Sequence, residues 1–341
     1  MVNPSLNMLI IRRQKELTSS PANRHGWYVG GLTLLLAASF GVICAQSTTM
    51  AADAPQSAPE LLRAFKSAQY SWQQQEIAEK LVALGDKSIV AEMLPMLQSP
   101  EREERCNAGL VLAALGEDRG FHAVVAEMQD MSERPTTMTR DDGSPYVAGQ
   151  IEQDRYFAAG TLALIGDRRA VPALIDLLKD KSLDYQAAIS LGRLGDARAV
   201  PALRDMLAHG GEWQRLWAAY GLAKIGDPAG VPALAEFLKA PVWVNRRHAA
   251  NALREIRDRR AVPALIASLK DDSPDVRNAA ADALGEIGDP MAIPALQALT
   301  DDAATNTSGN PRPVRDVASA AVRRINASAR SSTKPAALVK Q

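Results

Sequence analysis

Ile165-Gly166-Asp167-Arg168-Arg169-Ala170-Val171-Pro172-Ala173-Leu174 is the stretch that decides the fold, because it recurs. Leu194-Gly195-Asp196 leads into Val200-Pro201-Ala202-Leu203, and Ile225-Gly226-Asp227 leads into Val231-Pro232-Ala233-Leu234. Ile256-Arg257-Asp258 precedes Val262-Pro263-Ala264-Leu265, and Ile287-Gly288-Asp289 precedes Ile293-Pro294-Ala295-Leu296. Positions 166, 195, 226, 257 and 288 are therefore spaced 29, 31, 31 and 31 residues apart. A fixed period of this length is the signature of a solenoid, in which each unit buries its apolar face against its neighbours.

One period contains two helical patterns. In 170–179, Val171, Leu174, Ile175, Leu177 and Leu178 form a helical stripe, with Pro172 in the first turn, where a missing N–H costs little. After the turn Asp180-Lys181-Ser182, Leu183, Ala187, Ala188, Leu191 and Leu194 recur at steps of mostly three and four. Gly195 then closes the second helix, since it accepts positive φ without a Cβ clash, and Asp196 is placed to cap the next helix. Each unit thus reads as a helical hairpin with a Gly-Asp corner. The pairs Ala158-Ala159, Ala187-Ala188, Ala218-Ala219, Ala249-Ala250 and Ala280-Ala281 put small residues in the middle of every second helix, where neighbouring units can approach closely.

The combination of Ala-Ala, Leu, Ile-Gly-Asp and Val-Pro-Ala-Leu resembles the short HEAT-like repeats named after phycobilisome lyases, most specifically from Tyr156 to Leu296. Leu84-Gly85-Asp86 and Leu115-Gly116-Glu117 keep the corner upstream without a Val-Pro-Ala-Leu after it, and Val317 to Ile325 keeps only the second-helix pattern. Such decay suits terminal units, which must show a polar outer face. The expected fold is an all-α solenoid of about eight HEAT-like hairpins over 58–326. Two insertions fall inside it: 130–150, whose Pro, Thr, Gly and Asp content argues against helix, and 301–313.

The flanks are of other kinds. Residues 27–45 carry no charge, while Arg12, Arg13, Lys15 and Arg24 against Glu16 make residues 1–26 a basic tail. A positive N-terminal flank predicts a transmembrane anchor or a signal peptide entering a bacterial-type membrane with its N-terminus in the cytoplasm. The length and Trp27-Tyr28 fit an anchor; Ala45, Ala51 and Ala52 offer cleavage sites. The solenoid is then expected on the periplasmic side, membrane-anchored or released. Residues 46–57 read as a flexible linker and 327–341 as a disordered tail.

Charge and chemistry narrow the function. Lys+Arg and Asp+Glu balance at 39 each, and removing 1–26 leaves about −3, which argues against nucleic acid as the main partner. Cys44 and Cys106 lie in unrelated segments and form no disulfide framework; Cys106 reads as a packed small side chain. None of His25, His122, His209 and His248 is followed by Glu. The His-Glu pairs with which HEAT-like deoxyhypusine hydroxylases bind two irons are therefore missing, and no metal or cofactor is expected. The name-giving relatives handle bilins, but repeats shared so widely do not carry that activity over.

Aligning the second helices on their corners exposes a candidate surface. Nine residues before the corner stand Phe157, Gln186, Trp217, His248 and Ala279. Six before stand Gly160, Ile189, Tyr220, Asn251 and Asp282; two before, Leu164, Arg193, Lys224, Glu255 and Glu286. The Ala-Ala and Leu positions fall between, so these rows are expected on the face away from the core, which the resemblance implies is concave. Phe157, Ile189, Trp217, Tyr220 and His248 would be neighbours there, with Arg193 and Lys224 at the edge and Trp213 and Trp243 near the helix starts. In a chain only 5% aromatic, this concentration matches the composition of interface hot spots. The expected role is a non-catalytic scaffold or adaptor holding a protein or peptide. The alternatives are a lyase-type enzyme or accessory factor cradling a flat, bilin-like ligand, and a structural component of an envelope complex.

Overall fold

The computed structural model describes residues 57–332, apart from 135, 137, 141, 142 and 308–310. Among the described residues sixteen α-helices pair into eight hairpins, as the period predicts. The first five helices are α1 (Ala58–Ser67), α2 (Ser71–Leu84), α3 (Val90–Met93), α4 (Arg102–Ala114) and α5 (Asp118–Gln129). They are followed by α6 (Val147–Ile165), α7 (Val171–Leu177), α8 (Asp184–Leu194), α9 (Val200–His209), α10 (Glu212–Ile225) and α11 (Gly230–Phe237). The last are α12 (Trp243–Ile256), α13 (Val262–Ser268), α14 (Pro274–Ile287), α15 (Ile293–Gln297) and α16 (Val314–Ser332). Even-numbered helices are the second helices of their hairpins, and each packs on the next.

Every corner is built the same way. Gly85, Gly116, Gly166, Gly195, Gly226 and Gly288 have positive φ, and Arg257, at φ 57°, takes the same conformation in the one repeat that lacks the glycine. The next carboxylate caps the turn. Asp167 accepts from the Arg169 N–H at 2.8 Å, Asp196 from Arg198 at 3.0 Å and Asp258 from Arg260 at 2.8 Å. Asp86, Asp227 and Asp289 do the same in their own repeats, so the corner aspartates are caps. The Ala-Ala pairs are fully buried, and with Val171, Leu174, Leu191, Leu203, Leu222, Leu253 and Leu284 they form the continuous core. Glycines let two second helices meet: a Cβ on Gly192 of α8 would lie 2.8 Å from the Gly221 Cα of α10.

The flanking expectations need correction. Among the described residues no helix is long and apolar enough to cross a membrane. The longest, α6 and α16, are interrupted by charges, Glu152, Asp154 and Arg155 in one and Arg315, Asp316, Arg323 and Arg324 in the other. The segment 27–45, with the tail 1–26 and nearly all of 46–57, lies outside the described residues. The transmembrane or signal segment is thus no part of the fold described, and the membrane partner and periplasmic placement that depended on it are withdrawn. At the other end α16 continues to Ser332, six residues into the stretch expected to be disordered. The insertion 130–150 ends earlier than expected, because Val147 already begins α6. It is tied down by Arg134, which donates to Asp154 at 2.8 Å with both side chains buried, and by an isolated bridge, Thr139 to Pro145.

Candidate functional site: an aromatic seam where the arginine clamps lapse

The junctions between hairpins are held by a device that sequence reasoning missed. Eleven residues before the corner stand Arg105, Arg155, Asp184, Arg215, Arg246 and Arg277. Arg246 donates to the Ala240 and Pro241 carbonyls of its own hairpin turn and, at 2.6 and 2.8 Å, to Asp271 in the next. Arg277 repeats this with Asp271 O, Asp272 O and the Asp302 carboxylate. Arg155 binds Met128 O and Asp180; Arg105 binds Ser99 O and Glu127. Asp180, Asp271 and Asp302 also accept from backbone N–H groups of their own turns, so each clamp closes a turn and a junction together. Burial alone would raise the Asp271 carboxyl, but hydrogen bonds from Arg246 and the Ser273 N–H outweigh it and hold it below its ordinary value.

The clamp fails at two consecutive junctions. Asp184 stands where Arg is needed, so α8 meets α10 through a bond donated by Gln214. Arg215 keeps the register and binds Leu207 O, but the next turn, Ala240-Pro241-Val242, offers no carboxylate. Its guanidinium lies over the Phe237 ring at 6.0 Å instead.

Aromatic side chains fill these junctions. Trp213 and Trp217 meet edge-to-face at 5.4 Å, and the His248 imidazole of α12 stands perpendicular to Trp213 at 5.1 Å and against Trp217 at 5.8 Å. Tyr220 touches Trp217 at 5.8 Å, and its hydroxyl donates to Glu255 at 2.7 Å across α10 and α12. Tyr185 continues the cluster at 6.4 Å from Trp213, and Tyr156 lies 5.9 Å beyond Tyr185. Tyr156 and Tyr185 are absent from the three aligned rows because they stand ten residues before the corner. Arg247 occupies the same row in α12, with its guanidinium 5.4 Å from the Trp243 ring.

Exposure separates the three rows expected to share one solvent face. Trp217, Tyr220, Ile189 and His248 are buried, at 7%, 2%, 7% and 6% exposed. Phe157, Trp213 and Trp243 are half-buried, and among these rows only Arg193, Lys224 and Glu255 are exposed, Glu255 while accepting the Tyr220 hydroxyl. Of the residues expected to be neighbours on one solvent face, Trp217, Tyr220 and His248 meet, joined by Trp213, but in a seam between helices with the charged row above it. Among the described residues the ring contacts of this cluster do not include Phe157 or Trp243.

The seam is electrostatically unfinished. Among the described residues the buried side-chain atoms without a hydrogen-bond partner include Trp213 Nε1, Trp217 Nε1 and His248 Nε2, all from this one cluster, and Nε of Arg247, the residue next to His248. An unmet buried polar atom costs about 1–3 kcal/mol, so native proteins keep few of them. Burial, with Arg247 adding to it, pushes His248 down to about 3, and its imidazole is neutral at physiological pH. Among the described residues no group of three His, Cys, Asp or Glu side chains could hold a metal ion. Cys106 is buried, which drives its thiol well above the ordinary value.

Comparison with known proteins agrees with this architecture. A family model for HEAT repeats matches residues 150–222, 182–253 and 231–307. No curated protein matches the chain. Among solved structures the chain is similar to human deoxyhypusine hydroxylase in complex with glycerol, at 20% identity, 79% coverage of this chain and 97% of that one, and a TM-score of 0.33. It is also similar to the CpcE–CpcF complex of phycocyanin lyase from Nostoc, at 22% identity, 70% and 96% coverage, and a TM-score of 0.41. The Escherichia coli protein YibA aligns at 17% identity, with 80% and 93% coverage and a TM-score of 0.39. None of these likenesses assigns an activity to this chain. The three overlapping matches to HEAT repeats span residues 150–307, and the corners and helix pairs continue on either side of them.

Proposed function

We propose that this chain is a non-catalytic scaffold that holds a partner protein or peptide across the second helices α8, α10 and α12. The observation that carries the reading is the layered arrangement there. A buried aromatic floor fixes the spacing of Arg193, Lys224 and Glu255, which repeat in solvent at the same position of successive hairpins. A rigid row of repeated side chains spreads many weak contacts along an extended partner, the ordinary use of a solenoid surface. Half-buried Phe157, Trp213 and Trp243 would add apolar contact at its edges.

The test is partner capture by the full chain, wild type beside Arg193→Glu/Lys224→Glu. Both side chains are exposed, so helicity should be unchanged while the partner is lost. Equal recovery by the two proteins would remove the binding surface from this row. Replacing Trp217 and Tyr220 by Ala is not a substitute, because both are buried and their loss reports on packing. The unpaired ring nitrogens favour a second reading, a lyase-type or accessory factor taking a flat conjugated ligand. An absorption band retained through purification would replace the scaffold with that reading.

A further inference from the structure

We infer that the seam between α10 and α12 is a receptor for carboxylate side chains of an acidic polypeptide, which would accept hydrogen bonds from the ring nitrogens of Trp213, Trp217 and His248. The inference rests on the scaffold reading and adds the chemistry of the partner.

Three independent features point the same way. The first is the chemistry of the unmet atoms. An indole N–H and an arginine Nε–H can only donate, so Trp213, Trp217 and Arg247 all call for an acceptor. The Trp213, Trp217 and His248 rings are mutually within 5.1 to 5.8 Å, so their unmet atoms belong to one small region. A carboxylate has acceptor lone pairs only and enough of them to serve several donors, and bonds to a charged acceptor are the stronger kind.

The second feature is access. Arg246–Asp271 locks the junction on one side and Arg155–Asp180 the one beyond α8–α10 on the other, whereas at α8–α10 the clamp arginine is replaced by Asp184 and here Arg215 faces a turn without an acid. Parting α10 from α12 next to Trp213 breaks no buried ion pair. Trp213 itself sits in the first turn of α10 and is only half-buried, which makes it the entrance.

The third is charge. Helices α8, α10 and α12 carry Arg193, Arg215, Lys224, Arg246, Arg247 and Arg254 against Asp184, Glu212 and Glu255. The next second helix, α14, is acidic on balance, with Asp275, Asp282 and Glu286 against Arg277. The basic stretch coincides with the unclamped junctions, in a chain with no net charge. Arg193 and Lys224 at its surface would steer an acidic segment towards the seam.

The experiment titrates the full chain with a blocked peptide of alternating Asp and Gly, with its Asn counterpart and with oligouridylate, monitored by calorimetry and by the indole N–H signals of 15N-labelled tryptophan. The Asp peptide should bind at least about tenfold more tightly than the Asn peptide, a ratio typical of losing a charged acceptor. Of the five tryptophans, Trp213 and Trp217 should show the shifted indole signals. Trp213→Phe and His248→Phe keep a ring in place and should each remove most of the preference. The wild-type indole shifts decide the matter if either variant fails to fold. Equal affinity for Asp and Asn peptides, a preference that survives both substitutions, unmoved Trp213 and Trp217 signals, or oligouridylate binding as tightly as the Asp peptide would each overturn the inference. If any of these occurs while Arg193→Glu/Lys224→Glu still loses the natural partner, the scaffold stands without the carboxylate receptor. If partner capture is also insensitive to that double substitution, both fall.

Discussion

The junction from α12 to α14 and the junction from α10 to α12 are built from the same repeat and held together in opposite ways. In the first, Arg246 ties two carbonyls of its own turn to the carboxylate of the next. In the second, the equivalent Arg215 finds no acid, and rings take over that, with Arg247, leave four nitrogens unpaired. The difference shows that a repeat protein can keep its backbone period while exchanging the glue at one junction. It also says where to look for function: a place that trades satisfied ion pairs for unpaired ring nitrogens carries a local cost that the clamped junctions do not.

Four measurements can break or sharpen this contrast. The largest effect is expected from Arg246→Ala, which takes the charged partner from a partly buried carboxylate and a donor from the Ala240 carbonyl and should cost about 2–3 kcal/mol in denaturant unfolding. Arg215→Ala removes a contact over Phe237 and one carbonyl bond and should cost only about 1 kcal/mol. Similar losses would mean the two junctions are equivalent after all.

Next comes Gly221→Ala, whose new Cβ would lie 2.8 Å from the Ala188 carbonyl oxygen. Overpacking there should cost about 1–3 kcal/mol, measured the same way, because α8 and α10 meet through Gly192 and Gly221 without a clamp to hold them. A neutral result would show that the junction gives easily.

The third is pH. His248 has a folded value of about 3 against an unfolded value of about 6.5, so below pH 6.5 the unfolded chain binds the extra proton. The stability it protects is complete above pH 6.5 and should fall as pH drops from there towards 3. Asp271 is depressed as well, but from an ordinary value of about 4, so the clamp's contribution is intact above about pH 4 and is lost only below it. Thermal melts of wild type beside His248→Phe should therefore run parallel above about pH 6.5 and differ in slope between there and about pH 4. Parallel curves throughout would place the acid sensitivity elsewhere.

The smallest effect concerns the corner between the two regions. Arg257 holds φ 57° where the other repeats have glycine, and Arg257→Gly should stabilise by up to about 1 kcal/mol. A loss of stability would show that the exposed Arg257–Glu286 pair outweighs the strain.

Much of the fold was legible because its determinants are local. Gly195 and Asp196 specify a corner by φ and by one side-chain bond, and Val171, Leu174 and Leu191 specify helices by spacing alone. The candidate site was half legible. Trp213, Trp217, Tyr220 and His248 could be grouped from their offsets to the corner, since residues at equal offsets in stacked helices become neighbours. Their burial could not be read, because a helical wheel shows which face a ring occupies and not how near the next helix stands. Gly192 and Gly221 set that distance between α8 and α10, and their effect exists only once the helices are stacked.

By itself the sequence determined the eight hairpins and their corners, since each depends on residues within one period. Only the tertiary structure decided that Arg246 reaches Asp271 while Arg215 reaches nothing charged, and that three ring nitrogens in one cluster remain unpaired. Those outcomes depend on pairs of side chains about 25 residues apart meeting across a junction, and a periodic pattern is blind to whether both members of a pair are present.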